Sequence, residues 1–167
     1  MADARRRIAW AKEDPYGVEH VGVILRRSTM SATGVAIGTD PMPYRLDYRL
    51  ETRRGFVTSR LLVETKGQGW HRRLDLRRSA AGAWSIQASH EGELGLSPPG
   101  GDAALFASAL DCDLGLSPLT NTMPVLRHGL HTHGGPVEFT MAWVSVPNLS
   151  VRRSGQRYTF IEADGES

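Results

Sequence analysis

The chain has a single cysteine, Cys112, in 167 residues. That excludes an intramolecular disulfide and a cysteine-rich zinc site. Lysine is scarce too, since all but two of the 20 basic residues are arginine. No apolar run approaches the roughly 20 residues that a membrane-spanning helix needs. The N-terminus, MADARRRIAWAKEDPYG, starts basic but meets Glu13 and Asp14 before any apolar signal core develops. These absences predict a cytoplasmic protein with no integral membrane association. There is no Gly-x-Gly-x-x-Gly, no P-loop lysine and no Gly-x-Ser-x-Gly, so the usual signatures of nucleotide binding and serine hydrolysis are missing. Neither an internal repeat nor a low-complexity linker divides the chain.

What is present suits one domain over residues 1–167, with a flexible tail at about 163–167. The net charge of +2 conceals an asymmetry: residues 1–90 carry 16 Lys or Arg against 9 Asp or Glu, and residues 91–167 carry 4 against 9. A basic half can attract phosphate or an anionic headgroup, or can simply be a solvated sheet face. Nucleic acid is disfavoured as a partner because Asp47, Glu51, Glu64 and Asp75 are interspersed among the arginines.

MPYRLDYRLE alternates strictly, with Tyr44, Leu46, Tyr48 and Leu50 on one side and Arg45, Asp47, Arg49 and Glu51 on the other. That is the pattern of a half-buried antiparallel strand. FVTSRLLVET, WHRRLDLRR and GAWSIQASH continue it as a meander, and VEHVGVILRR, SATGVAIG, VEFTMAWVSV and QRYTFIEA add further strands. GDAALFASAL, residues 101–110, reads as a short helix capped near Asp102, or else as an apolar strand. The predicted fold is mainly β: a large curved antiparallel sheet forming an incomplete or half-open barrel, with at most one or two short helices. Such a shell encloses an apolar interior unless its own side chains fill it.

The densest polar segment is DCDLGLSPLTNTMPVLR, Asp111 to Arg127. Asp111 and Asp113 share a strand face, and such a pair can serve a sugar-processing enzyme or can bond the backbone amides of the segment that follows. Thr120, Asn121 and Thr122, set between Pro118 and Pro124, form a stiff polar corner. They can bind sugar hydroxyls or tie strands together, with Arg127 directed at a headgroup phosphate or at Asp113. Gln156 can bond this corner, and Tyr158 adds apolar area and a hydroxyl. His131 and His133 would align on one strand face, which is too few ligands for zinc. Cys112, alternating with the aspartates, faces the core.

The Asp-x-Asp strand, the Pro-x-Thr-Asn-Thr-x-Pro segment, Ala142-Trp143-Val144 and Gln156-Arg157-Tyr158 together resemble the glycolipid-binding family, formerly a domain of unknown function. The likeness is dense over residues 109–160. It implies a half-barrel similar to the bacterial periplasmic lipoprotein carriers, a glycolipid or acyl-chain ligand in the concave face, and no catalytic role. No cofactor and no metal are expected. An enzyme acting through Asp111 and Asp113, or a filled barrel with an interaction role, is the alternative. The sequence is silent on oligomeric state and on the identity of a ligand.

Overall fold

The computed structural model describes residues 3–93 and 95–161. The tail expected at 163–167 lies outside them. Seven strands, β1 (Ala4–Glu13), β2 (Tyr16–Leu25), β3 (Met30–Gly38), β4 (Tyr44–Arg53), β5 (Val57–Gly67), β6 (Trp70–Arg78) and β7 (Trp84–Glu91), form one antiparallel sheet in chain order. β1 and β7 do not pair, so the sheet is not closed into a barrel. The remainder comprises a 3-10 turn (Ala103–Phe106), β8 (Asp111–Leu114), a second 3-10 turn (Pro118–Asn121) running into helix α1 (Thr122–His128), β9 (Val137–Val144) and β10 (Val151–Tyr158). β8, β9 and β10 make a three-stranded sheet.

The period-two patterns predict most of this, but β10 begins at Val151 and meets the expected QRYTFIEA only over Gln156–Tyr158, and three further corrections apply. β1 is a full strand although its sequence, ARRRIAWAKE, carries little alternation. The helical segment expected at 101–110 contracts to the 3-10 turn Ala103–Phe106, and the longer helical stretch forms in the expected polar corner instead. β8 runs parallel to β9. Parallel neighbours need a crossover connection, and α1 lies on it.

The large sheet buries one face. Val21, Leu46, Leu50, Leu61, Val63, Leu74 and Leu76 lie inward at alternate positions. Two glycines of β3 make room for tyrosines of β4: a Cβ on Gly34 or Gly38 would overlap the ring of its cross-strand partner, Tyr48 or Tyr44. The C-terminal half fills the space in front of this face. Phe106, Leu114, Leu119, Met123, Val144 and Leu149 join the sheet residues in one continuous cluster. Of the two interiors the sequence allows, apolar and open or filled, the structure has the second: the chain's own side chains occupy it. At one border of this core, between Lys12, Glu19, Tyr44 and Ser117, a niche of about 10 Å³ remains, room for about one water molecule.

Candidate functional site

Asp111 and Asp113 project from one face of β8, while Cys112 and Leu114 enter the core from the other. Both aspartates are buried. Arg127, in the last turn of α1, grips Asp111 with both terminal nitrogens: Nη1 donates to Oδ1 at 3.0 Å and Nη2 to Oδ2. The expected partner Asp113 has other contacts. Its Oδ1 accepts from Thr120 Oγ1 at 3.0 Å, and its Oδ2 accepts from Gln156 Nε2 at 2.5 Å. Tyr158 extends the chain by donating to Gln156 Oε1 at 2.6 Å. Burial, then Asp113 and Asp111, push the Tyr158 hydroxyl up to about 12. Thr120 Oγ1 also accepts the Leu114 amide at 3.1 Å, which pins the 3-10 turn to the strand end.

Six of the eight predicted residues thus assemble into two hydrogen-bonded groups, Asp111 with Arg127, and Asp113 with Thr120, Gln156 and Tyr158. Asn121 and Thr122 lie on the helical segment, and their side chains bond none of the six. Among the described residues, three buried side-chain atoms lack a partner, and two belong to this corner: Asn121 Oδ1 and Arg127 Nε. All four carboxylate oxygens of Asp111 and Asp113 are engaged by the chain itself. An acid–base or nucleophilic role would have to act from buried oxygens that already accept these bonds.

The histidine expectation fails on geometry. HGLHTHGG forms the end of α1 and the turns beyond it, so His131 and His133 share no strand face. His133 Nδ1 lies 2.7 Å from Thr132 Oγ1, and His128 packs edge-on against Phe139. Among the described residues, no group of three or more His, Cys, Asp or Glu side chains is placed to hold a metal ion. Cys112 is fully buried beside Thr58, and burial pushes its thiol up to about 12.

The sequence reading missed two inward polar residues. Glu19 occupies an apolar-parity position in VEHVGV, where its Oε1 accepts from Tyr48 Oη at 2.7 Å and from Ser117 Oγ at 2.8 Å, while Oε2 stays unpartnered. Arg72, on the parity of Trp70 and Leu74, donates to the carbonyls of Ser97, Asn148 and Leu96 and so ties two loops to β6. Parity was the available signal in both cases. A third feature emerges only from the β9–β10 pairing. Glu138, Thr140, Arg153 and Arg157 share a face with the core residues Ala142, Val144 and Val151 but lie beyond the core. There they line a depression of about 360 Å³ with Gly155, and Phe139 and Gln156 border it as well.

The fold and site define a mainly β protein whose open seven-stranded sheet is filled by its own C-terminal half around a buried polar corner. Residues 7–167 match the family described as "Putative glycolipid-binding", and the chain belongs to that family. The structure is also similar to the crystal structure of a DUF1089 family protein from Pseudomonas aeruginosa, with a TM-score of 0.65 and 25% identity over 84% of this chain and 71% of that one. No curated protein matches the sequence. Among the described residues, no helix is long and apolar enough to cross a membrane.

Proposed function

We propose that this chain binds the headgroup of a glycolipid without transforming it, and that the headgroup lies in the depression on β9 and β10. The observation carrying this reading is the depression itself. It is large enough for a sugar ring, and it presents two guanidiniums, a carboxylate and a hydroxyl on one exposed face. Guanidinium forks suit paired oxygens on sugars, carboxylates or phosphates. Gln156, which borders the depression, and Tyr158 alternate with Arg153 and Arg157 along β10, and their side chains tie it to Asp113 of β8. In this reading Asp111, Asp113, Thr120, Gln156, Tyr158 and Arg127 support the site, and Asn121 and Thr122 shape the adjoining helix. An acyl chain would gain the inner face of the large sheet only by displacing Leu119 and Met123 with the segment Pro118–His128 that carries them. The reading requires no cofactor.

The test is native mass spectrometry of protein purified from its own host, followed by extraction of whatever lipid travels with it. A stoichiometric glycolipid is expected. Replacing Arg153 and Arg157 together with alanine should weaken its rebinding at least tenfold, about 1.4 kcal/mol. A clean apo mass with no uptake of offered glycolipids would overturn the proposal. Turnover of a glycolipid that disappears in Asp113→Asn while binding persists would replace it with the enzyme reading.

A further inference from the structure

Strand alternation and pairing lay out the outer face of the large sheet as a grid. Across β1, β2 and β3, one row reads Ala11, Val18, Ile37 and the next Ala9, His20, Val35. Tyr16 stands at the end beside Glu13. The exposures are high for apolar side chains: Tyr16 is 63%, Val18 40% and Ile37 54% exposed. The two following rows read Arg7, Gly22, Thr33, Arg49 and Arg5, Ile24, Ser31, Glu51, with the last residue of each on β4. Because Gly22, Ser31 and Thr33 are small, long arginines stand around shallow ground. Two adjoining depressions of about 320 and 470 Å³ meet at Gly22 and Ile24.

The arginines differ in kind from those on the rest of this face. Arg45 pairs with Asp47, Arg73 with Glu64, and Arg60 and Arg77 with Asp75. Among the described residues, Arg5, Arg7 and Arg49 pair with no carboxylate. The outward positions of β1 to β3 contain one acidic residue, Glu13, at the far end from Arg5 and Arg7.

We infer that the outer face of β1 to β3 docks on an anionic lipid surface, with the Ala11–Val18–Ile37 strip in the interfacial layer and Arg5, Arg7 and Arg49 on headgroup phosphates. An apolar strip beside unpaired cations is the combination that a negatively charged bilayer surface rewards twice, through burial and through attraction. A nucleic acid would use the arginines and leave the exposed valine and isoleucine in water. A second copy of the chain would bring the same three guanidiniums to the contact, with only Glu13 at the far end and Glu51 beside Arg49 to receive them. The inference concerns a different surface from the headgroup depression and does not rest on the glycolipid reading.

The experiment is co-sedimentation of the full chain with vesicles of phosphatidylglycerol or of phosphatidylcholine, both free of glycolipid, over a range of salt. Binding to the anionic vesicles that weakens with salt, and little to the zwitterionic ones, is expected. Arg5→Gln, Arg7→Gln and Arg49→Gln together should lower the partition coefficient on the order of a hundredfold, about fivefold for each arginine. Ile37→Asp should lower it as well, with the thermal unfolding midpoint unchanged in both variants. Arg60→Gln with Arg73→Gln, which removes charge from the paired lattice, should leave binding within about twofold of the parent. Four results would overturn the inference: no anionic-vesicle binding at low salt, an equal loss in the lattice control, duplex DNA binding that persists in Ile37→Asp, or a concentration-dependent dimer that Ile37→Asp abolishes.

Discussion

Asp111 and Asp75 are each held by arginine forks, but in different surroundings. Asp111 has a side chain 2% exposed, and its partner Arg127 is 14% exposed. Asp75 is 8% exposed, yet its partners Arg60 and Arg77 are 27% and 53% exposed. Asp75 accepts four bonds, at 2.8 to 3.1 Å. Desolvation pushes its carboxyl up, but hydrogen bonds from Arg60 and Arg77 outweigh that and hold it well below the usual carboxylate range. On the outer face the arginines keep their water, so pairing costs little and each bridge contributes little. In the corner both partners have given up water, so the pair matters chiefly when one half is lost.

That difference can be broken experimentally. Arg127→Ala leaves Asp111 buried without a cation and should cost about 3–5 kcal/mol in urea unfolding. Replacing Asp111 and Arg127 together with leucine should recover most of the loss, because a buried ion pair and an apolar pair of similar volume are often equivalent. A double variant as damaged as the single would show that the pair is favourable in itself. Cys112 offers a second readout of the same loss. With its thiol buried and pushed up to about 12, alkylation near neutral pH requires opening, and a 3 kcal/mol destabilisation should speed it on the order of a hundredfold.

The outer lattice should respond more mildly and with a defined dependence on pH. Asp75→Asn should lower the unfolding midpoint by a few degrees. Because the folded carboxyl titrates below its unfolded value of about 3.9, its contribution is fully present above that value. It is lost as pH falls through the depressed folded value. The gap between parent and variant should therefore be constant near neutrality and close only below about pH 4. Arg73→Gln, which removes one exposed partner of Glu64, should change stability by no more than about 0.5 kcal/mol. A loss comparable with that of Arg127→Ala would erase the distinction between the two clusters.

The sequence made much of the large sheet legible and less of the corner. MPYRLDYRLE announces β4 because one face must shed water while the other keeps it, and that requirement is local. β1 escaped notice because nearly all its residues are exposed to some degree, so nothing forces apolar alternation on ARRRIAWAKE. α1 was hidden by Pro124 and the turn-forming Thr-Asn-Thr, yet proline is accommodated in a helix's first turn, where its missing N–H has no partner to lose. The grouping of Gln156 with the corner was readable as a possibility. The choice of Asp111 over Asp113 for Arg127 was not, since it depends on where the crossover lays the helix.

By itself, the sequence determined a mainly β chain, the inward and outward parity of β4 and much of β5 and β6, and the polar residue types at the Asp111–Arg127 corner. Those follow from periodicity and side-chain chemistry, which act within a few neighbouring residues. The tertiary structure alone decided that the inner face is filled, that β8 runs parallel to β9, which partners Glu19 and Arg72 reach, and which carboxylate each donor reaches. These outcomes depend on segments that meet in space although far apart along the chain, and the energy of a buried charge or a filled core is set by what closes over it.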